Sequence, residues 1–272
     1  MALDPLPSLE EKGARVRAMF DRIAPRYDCL NRLLSAGLDQ SWRRDALDRI
    51  RVGKGDRVVD LACGTGDLAE LSTARGAHVI GVDFAFEMLC AARRRGIPTA
   101  LVQADGEALP LTDAWATVVT CGFALRNFVG LPAIFSEIAR VLEPGGRVAF
   151  IEVDRPRPAL IRAAHALYFD RIVPFVGGLL SDRSAYAYLP KSTVYLPPTG
   201  ELLALLEDAG FEQVEHRPLL LGAAQIVTGI RKKPLPETGE VRDRDPEEVV
   251  TGSGGDRERD PEEDVTGIRR RP

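Results

Sequence analysis

Short apolar runs alternate with segments of helical periodicity through most of the 272-residue chain. The runs are bounded by turn residues and predict strands at 57–62, 78–82, 99–103, 116–121, 147–153, 211–218 and 224–231. Helices are predicted between them at 67–75, 85–95, 132–142 and 200–209. Because strands that alternate with helices pair in parallel through right-handed crossovers, we expect an α/β fold with a mostly parallel seven-stranded sheet and helices on both faces.

Three segments precede or interrupt this core. Residues 1–8 are rich in proline and are expected to be disordered. Residues 9–50 have helical periodicity broken at Pro25 and Gly37, which predicts a helical cap. Residues 154–198 follow the fifth strand and are broken by several prolines with tyrosines between them. An insertion of this length usually covers a site, so we predict a second cap there.

The tail at 235–272 is charged, rich in Pro and Gly and almost free of aromatic residues, which predicts disorder. It contains a near-repeat, RDRDPEEVVTG at 242–252 and RERDPEEDVTG at 257–267. Two repeats of this length cannot build a solenoid, and we interpret them as a duplication without function. The folded domain is therefore assigned to 9–234.

A glycine turn follows the first strand. Gly64 and Gly66 stand between that strand and the next helix, so a ligand can approach the backbone closely. The spacing fits a dinucleotide fingerprint as well as an S-adenosylmethionine site. Asp60 and Asp67 place two carboxylates beside the turn, and these would repel a diphosphate and attract a sulfonium and an ammonium group. The charges favour S-adenosylmethionine over NAD.

Polar or small residues also fall at the carboxyl ends of the other predicted strands, where ligands bind in such sheets. They are Asp83, Asp105, Gly122 and Glu152. We expect Asp83 to accept hydrogen bonds from ribose hydroxyls and Asp105 to accept one from the adenine amino group. Asp60, Gly64, Gly66 and Gly122 complete the cofactor residues that the pattern itself predicts.

Composition narrows the function classes. The formal charge of −4 argues against general nucleic-acid binding. The cysteines lack metal-ligand spacing and the three histidines are unpaired, so no metal site is expected. With no signal peptide, a cytoplasmic location is the default. The apolar region 159–180 contains Arg162, His165, Asp170 and Arg171, so it is not expected to cross a membrane.

Four segments in order carry a family resemblance: MFDRIAPRYDCLNRLLSAGLDQSWRR at 19–44, VVDLACGTGDLA, FALRNF with RVLEPGGRVAFIE, and YAYLPKSTVYLP. On these the chain from Val16 to Lys232 resembles the menaquinone/ubiquinone biosynthesis C-methyltransferases, a class I S-adenosylmethionine-dependent family that includes demethylmenaquinone methyltransferase. The resemblance implies a Rossmann-like class I methyltransferase fold with both caps. It also implies methyl transfer to a ring carbon of a polyprenylated hydroquinone, demethylmenaquinol, in respiratory quinone biosynthesis.

The resemblance also implies roles by position. Four residues stand at positions that contact the cofactor in the family: Thr65, Asp83, Asp105 and Gly106. Residues that line the quinol pocket correspond to Tyr27, Asn31, Arg126 and Asn127, and we add Tyr168 and Tyr186 of the inserted cap as substrate-binding candidates.

The reaction suits these residue types. A ring carbon becomes nucleophilic when the adjacent hydroxyl loses its proton. Arg126 can stabilise the oxyanion or orient a water, while Asp39 or Tyr27 can take the proton. Arg126, Asn127, Tyr27 and Asp39 are therefore the predicted catalytic residues. The family often has His near the position of Asp39, and Ala124 stands where it usually has Gly, which leaves the acceptor less well defined than the cofactor.

Other functions remain open at this point. A methyltransferase acting on another aromatic or polyketide acceptor fits the same cofactor residues. An NAD-dependent reductase usually has a Tyr-x-x-x-Lys pair, which this chain lacks. A non-catalytic protein that keeps the fold is the third alternative.

A polyprenyl substrate lies in a bilayer, so we expect transient contact with the inner face of the membrane through the apolar face of 159–180. Oligomeric state is not readable from the sequence, and a homodimer is left open.

Overall fold

The computed structural model describes residues 9–97, 99–154, 156, 158–180, 185, 188 and 191–233. The predicted disorder at 1–8 and in the tail at 235–272 lies outside these residues, as does Tyr186. The assignment of the folded domain to 9–234 stays a prediction.

The seven predicted strands form one sheet. They are β1 (Arg57–Leu61), β2 (His78–Asp83), β3 (Ala100–Gln103), β4 (Ala116–Gly122), β5 (Leu142–Val153), β6 (Phe211–Leu219) and β7 (Ala224–Arg231). Their order is β3-β2-β1-β4-β5-β7-β6. β7 runs antiparallel to both neighbours and the other pairs are parallel, which confirms the mostly parallel sheet. Val58 and Val59 of β1 are both buried, as expected of a strand covered on both faces.

Helices join the strands and form the caps. The first cap contains α1 (Leu9–Ile23), α2 (Tyr27–Leu34) and α3 (Leu38–Arg49); α4 (Asp67–Ala74), α5 (Phe86–Arg94) and α6 (Leu131–Val141) connect the parallel strands; α7 (Ala159–Leu167) and α8 (Val173–Leu180) follow β5; and α9 (Thr199–Asp208) precedes β6. The predicted breaks are confirmed, since Pro25 lies in a 3₁₀ turn and Gly37 has φ 77°. None of the helices in the described part of the chain is both long and apolar enough to cross a membrane.

The sheet is covered on both faces by separate apolar layers. On one face, α6 and α9 pack Ile134, Phe135 and Leu206 against β4 and β5. On the other, α3 and α4 contribute Leu47 and Leu68. Each helix buries one side against the sheet, so burial of these side chains provides most of the stabilisation.

The fifth strand is longer than predicted. The sequence indicated a start at 147, after the Pro-Gly-Gly turn, whereas β5 starts at Leu142 and pairs with Ala116 of β4. Gly145 has φ 84°, and a Cβ atom on Gly146 would lie 2.8 Å from the Glu143 carbonyl oxygen. The two glycines therefore let the backbone stay beside the sheet through an irregular stretch.

The order of the strands locates the site. β1 pairs with β2 on one side and with β4 on the other. The chain therefore continues from β2 toward one edge of the sheet and from β4 toward the other edge. This divergence opens a crevice at the carboxyl ends of the strands. The first cap lies at the same edge, since α2 and α3 contact α4 and its turn.

Candidate active site

The turn after β1 has left-handed backbone. Gly64 and Gly66 have φ of 56° and 89°, values that glycine adopts without a steric penalty. A Cβ atom on Gly66 would lie 2.4 Å from Ile97 Cδ1, so there is no room for a side chain. Close packing and backbone conformation together require glycine, and they direct the chain into α4 at Asp67.

Two buried aspartates hold this turn. The Gly64 N–H donates to Asp83 Oδ2 at 2.7 Å. The Ala69 N–H and the Thr120 hydroxyl each donate to Asp60 at 3.0 Å. Burial raises the pKa of Asp60 to about 7 and that of Asp83 to about 6, because desolvation disfavours the charged carboxylates. Both groups therefore titrate near neutral pH.

A cavity of about 260 Å³ lies against the turn, at the carboxyl ends of β1, β2 and β4. We call it the turn cavity. Its lining includes five of the predicted cofactor residues: Gly64, Asp83, Asp105, Gly106 and Gly122. Phe84 and Met88 add apolar walls. The cavity thus presents carboxylate acceptors beside apolar surface.

The other predicted cofactor residues lie outside the wall of the turn cavity. Asp60 and Thr65 line a small adjoining cleft of about 30 Å³, which shares Gly64 and Gly122 with the turn cavity, and Gly66 packs against Ile97. These residues support the turn rather than form the wall of the turn cavity. Their contact with a cofactor stays a prediction.

A larger cavity of about 630 Å³ lies between the first cap, the inserted cap and the β6–β7 connection. We call it the cap cavity. Five of the predicted substrate or catalytic residues line it: Tyr27, Asn31, Asp39, Arg126 and Tyr168. Most of the remaining wall is apolar: Leu33, Leu34, Leu38, Trp42, Ile161, Val173, Leu220 and Leu221. Asn127, predicted here, instead lines the turn cavity and accepts a hydrogen bond from the Tyr188 hydroxyl at 3.5 Å.

Arg126 is buried at the wall of the cap cavity. Its guanidinium pairs with Glu152, which is also buried, and its Nε donates to Ser192 Oγ at 3.2 Å. Its Nη1 donates to the Phe123 carbonyl oxygen at 2.8 Å. The Arg126–Glu152 salt bridge is thus buried rather than at the surface. Glu152 balances much of the arginine charge, so Arg126 also acts as a support.

Asp39 and Tyr27 face the same cavity and differ in their hydrogen-bond partners. The Asp39 carboxylate accepts hydrogen bonds from Ser35 at 2.7 Å and from Arg43 at 2.6 Å. Burial raises the pKa of Tyr27, while a hydrogen bond with Asn31 opposes the shift. Tyr27 is therefore a neutral phenol near pH 7. It suits the role of hydrogen-bond donor better than that of base.

An ion-pair cluster ties the first cap to the turn. Asp28 accepts hydrogen bonds from the Thr65 hydroxyl and, at 3.2 Å, from Arg95 Nη1. The same Arg95 atom donates to the Thr65 carbonyl oxygen at 3.0 Å and to Asp67 at 2.8 Å. Arg43 adds a contact of 3.6 Å to Asp67. The sequence offered no signal for Arg95, because its partners come from distant segments.

Two further residues at the site were missed. His165, which the sequence did not mark as a site residue, lines the cap cavity. Phe123 lines both the turn cavity and the cap cavity. Its position two residues after Cys121 of β4 and three before Arg126 was the only available signal.

Comparisons with known proteins find relatives over most of the chain. The family model of the ubiE/COQ5 methyltransferase family matches residues 8–231. A ubiquinone/menaquinone biosynthesis C-methyltransferase of Geobacter sulfurreducens is 44% identical over 231 residues, which are 81% of this chain and 90% of that protein. A demethylmenaquinone methyltransferase of Thermus thermophilus is 44% identical over 220 residues, 78% of this chain and 100% of that protein.

Solved structures support the fold. A methyltransferase in complex with the Trm112 activator of Haloferax volcanii has a TM-score of 0.59 at 19% identity, and the match covers 79% of this chain and 98% of that one. A SAM-dependent methyltransferase of Aquifex aeolicus has a TM-score of 0.51 at 16% identity, with 69% and 88% covered. The family model spans the sheet, the glycine turn and both caps, and this chain belongs to the ubiE/COQ5 methyltransferase family.

Proposed function

We propose that this protein transfers a methyl group from S-adenosylmethionine to a ring carbon of a polyprenylated hydroquinone of the demethylmenaquinol type. The observation that carries the proposal is the pair of cavities. One cavity has carboxylate acceptors at a glycine turn, the other is large and mostly apolar, and the two meet at Tyr27 and Phe123. A cationic methyl donor and an apolar aromatic acceptor suit these two spaces.

The residues of the turn cavity fit the cofactor. Asp83 offers a carboxylate acceptor to the ribose hydroxyls, and Asp105 offers one to the adenine amino group. Phe84 and Met88 provide apolar walls for a purine. A Cβ atom on Gly106 would lie 3.0 Å from Ile134 and would add bulk at the cavity wall. When bound, S-adenosylmethionine supplies a methyl group activated by a sulfonium.

The residues of the cap cavity prepare the acceptor. Asp39 takes the proton of the hydroxyl next to the reacting carbon, and Arg43 holds the carboxylate in place. The Tyr27 hydroxyl donates to the developing oxyanion. The ring carbon supplies the electron pair of the new bond, and the electrons of the broken C–S bond stay on sulfur. The ring carbon then loses its proton to solvent, which restores the aromatic ring.

The prenyl tail explains the open, apolar end of the cap cavity. Leu33, Leu38, Leu220 and Leu221 line it and are exposed. We call these four side chains the leucine rim. A cytoplasmic enzyme whose substrate lies in a bilayer must reach the inner membrane face, and the rim is the surface that would contact lipid. Leu160, Leu167 and Phe175 of the inserted cap are also exposed, which supports contact through 159–180.

The proposal is tested by supplying demethylmenaquinol with methyl-labelled S-adenosylmethionine to the full chain. We expect labelled quinone from the wild type and a fall of about 10²–10⁴-fold in kcat for Asp39→Asn, because an amide cannot accept the proton. Asp45→Asn, on the same helix, is the matched control and should keep the wild-type kcat.

Two results would count against the proposal. A folded wild type that binds S-adenosylmethionine and labels no hydroquinone would overturn the acceptor class. If it instead labelled a different aromatic or polyketide compound, the methyltransferase alternative with another acceptor would replace it. Full turnover by Asp39→Asn would remove Asp39 from the mechanism.

A further inference from the structure

Phe123 occupies the boundary between the two cavities. Among the described residues that line them, only Tyr27 and Phe123 border both. Where the two cavities adjoin, Tyr27 and Phe123 are therefore the side chains that a group bound in one cavity shares with a group bound in the other.

The backbone of Phe123 is held in an unfavourable conformation. Its φ is 60°, in the left-handed region, which is sterically strained for a residue other than glycine. The Phe123 N–H donates to the Ile151 carbonyl oxygen at 2.6 Å, and its own carbonyl oxygen accepts from Arg126 Nη1 at 2.8 Å. Contacts at both ends of the residue thus impose the conformation that points the chain into the site.

The ring of Phe123 is held as well. Trp42 packs against it, with 6.3 Å between ring centroids, and the Arg43 guanidinium carbon lies 5.3 Å from its centroid. Across the boundary, Tyr27 packs edge-on against Phe20 at 5.9 Å. Both aromatic side chains therefore have packing partners that restrict the movement of their rings.

We propose that Phe123 and Tyr27 form the aperture through which the methyl group is transferred, and that the Phe123 ring restricts transfer to methyl. The inference rests on the proposed function. The face of an aromatic ring attracts a cation; because Arg43 lies over one face of Phe123, we assign the opposite face to the sulfonium, which it favours over a neutral thioether. Arg126, through the Phe123 carbonyl, is a positioning residue for this aperture.

The first test measures alkyl selectivity with S-adenosylmethionine and its ethyl analogue, S-adenosylethionine. Phe123→Leu should lower kcat for methyl transfer by about 10–100-fold, since alignment is lost. The ratio of ethyl to methyl transfer should rise about tenfold or more, because a branched aliphatic side chain leaves a wider passage; one methylene is worth about 10–200-fold in a tight pocket.

Two other variants make the test specific. Phe123→Gly suits the left-handed backbone, so it removes the strain while it opens the aperture furthest, and it should raise the ratio at least as much. Phe128→Leu is the control, because Phe128 lines the turn cavity and not the cap cavity. It should leave the ratio of ethyl to methyl transfer unchanged, whatever its effect on the rate.

The second test needs no turnover. Calorimetry should show that Phe123→Leu weakens the binding of S-adenosylmethionine about 2–5-fold. The neutral thioether S-adenosylhomocysteine should bind as tightly as it does to the wild type. Phe128→Leu should affect both ligands alike.

An unchanged ethyl-to-methyl ratio in both Phe123 variants, with wild-type enzyme active on the hydroquinone, would overturn the aperture. Failure of the proposed function looks different, because the wild type would then label no hydroquinone at all. In that case the calorimetry decides. If Phe123→Leu lost affinity for S-adenosylmethionine and for S-adenosylhomocysteine equally, the inference would be overturned.

Discussion

At the scale of single residues, the two buried aspartates of the turn have separate roles. Asp83 lies in the wall of the turn cavity, while Asp60 lies outside that wall and accepts from Ala69 and Thr120. Burial raises the pKa of both groups. Asp83, which lies in the wall, can couple its protonation directly to a ligand in the turn cavity.

Cofactor affinity should therefore depend on pH through Asp83. Its pKa of about 6 means that the carboxylate is ionised above pH 6 and protonated below it. Ribose hydroxyls donate to the ionised form, so the affinity for S-adenosylhomocysteine should be constant above about pH 7 and fall as the pH drops through 6. Calorimetry between pH 5 and 8 measures this.

The matched variant is Asp83→Asn. It should bind S-adenosylhomocysteine more weakly than the wild type at pH 7.5, and its affinity should show no step near pH 6. Asp113→Asn, at an exposed aspartate, should keep both the affinity and the step. A step that persists in Asp83→Asn would assign the titration to another group.

At the scale of elements, α2 is attached to the glycine turn rather than only packed on the sheet. Asp28 of α2, Thr65 of the turn and Arg95 after α5 share one set of hydrogen bonds. Tyr27, at the start of α2, is thereby held at the boundary of the two cavities. The position of the first cap thus depends on the glycine turn.

Arg95→Gln should loosen α2 without removing the turn. Arg95 is partly exposed, so the expected loss is about 1 kcal/mol of unfolding free energy, discounted for solvent screening. The amides of α2 should exchange with solvent faster, and the KM for the hydroquinone should rise more than the Kd for S-adenosylhomocysteine.

The control is Arg93→Gln, which changes an exposed arginine in the last turn of α5 and should leave amide exchange in α2 unchanged. If Arg95→Gln raised the KM for the hydroquinone and the Kd for S-adenosylhomocysteine equally, Arg95 would support the glycine turn alone and the role in holding α2 would be refuted.

At the scale of the whole molecule, strain and exposure coincide at the leucine rim. Leu220 and Leu221 have φ of 42° and 56°, and 55% and 70% of their surfaces are exposed. In water, this strained backbone is not offset by burial of the two leucine side chains, because both are exposed. Contact with lipid at the mouth of the cap cavity would use both features.

Leu220→Ser with Leu221→Ser should therefore weaken binding to liposomes by at least about tenfold, because burying a leucine is worth about 1.5–3 kcal/mol. Flotation with vesicles of bacterial phospholipid measures the bound fraction. Phe86→Ser removes an exposed aromatic residue on α5 and should float like the wild type. A wild type that does not float would refute contact through the rim.

Much of the fold could be predicted because its signals are local. Strand β1 and the turn at Gly64 and Gly66 are set by a buried apolar run followed by residues that tolerate positive φ. Asp83 and Asp105 could be placed at the site because the carboxyl ends of parallel strands share one edge. The start of β5 was missed because its irregular first residues depend on contact with β4.

The sequence by itself determined the elements, their order and the cofactor edge, since periodicity, glycine and proline act over a few residues. Only the tertiary structure decided which side chains face each other. Arg126 is paired with Glu152 from the next strand, Arg95 connects three distant segments, and Phe123 stands between two cavities. These contacts join residues far apart in the chain, and no local pattern records the distance between them.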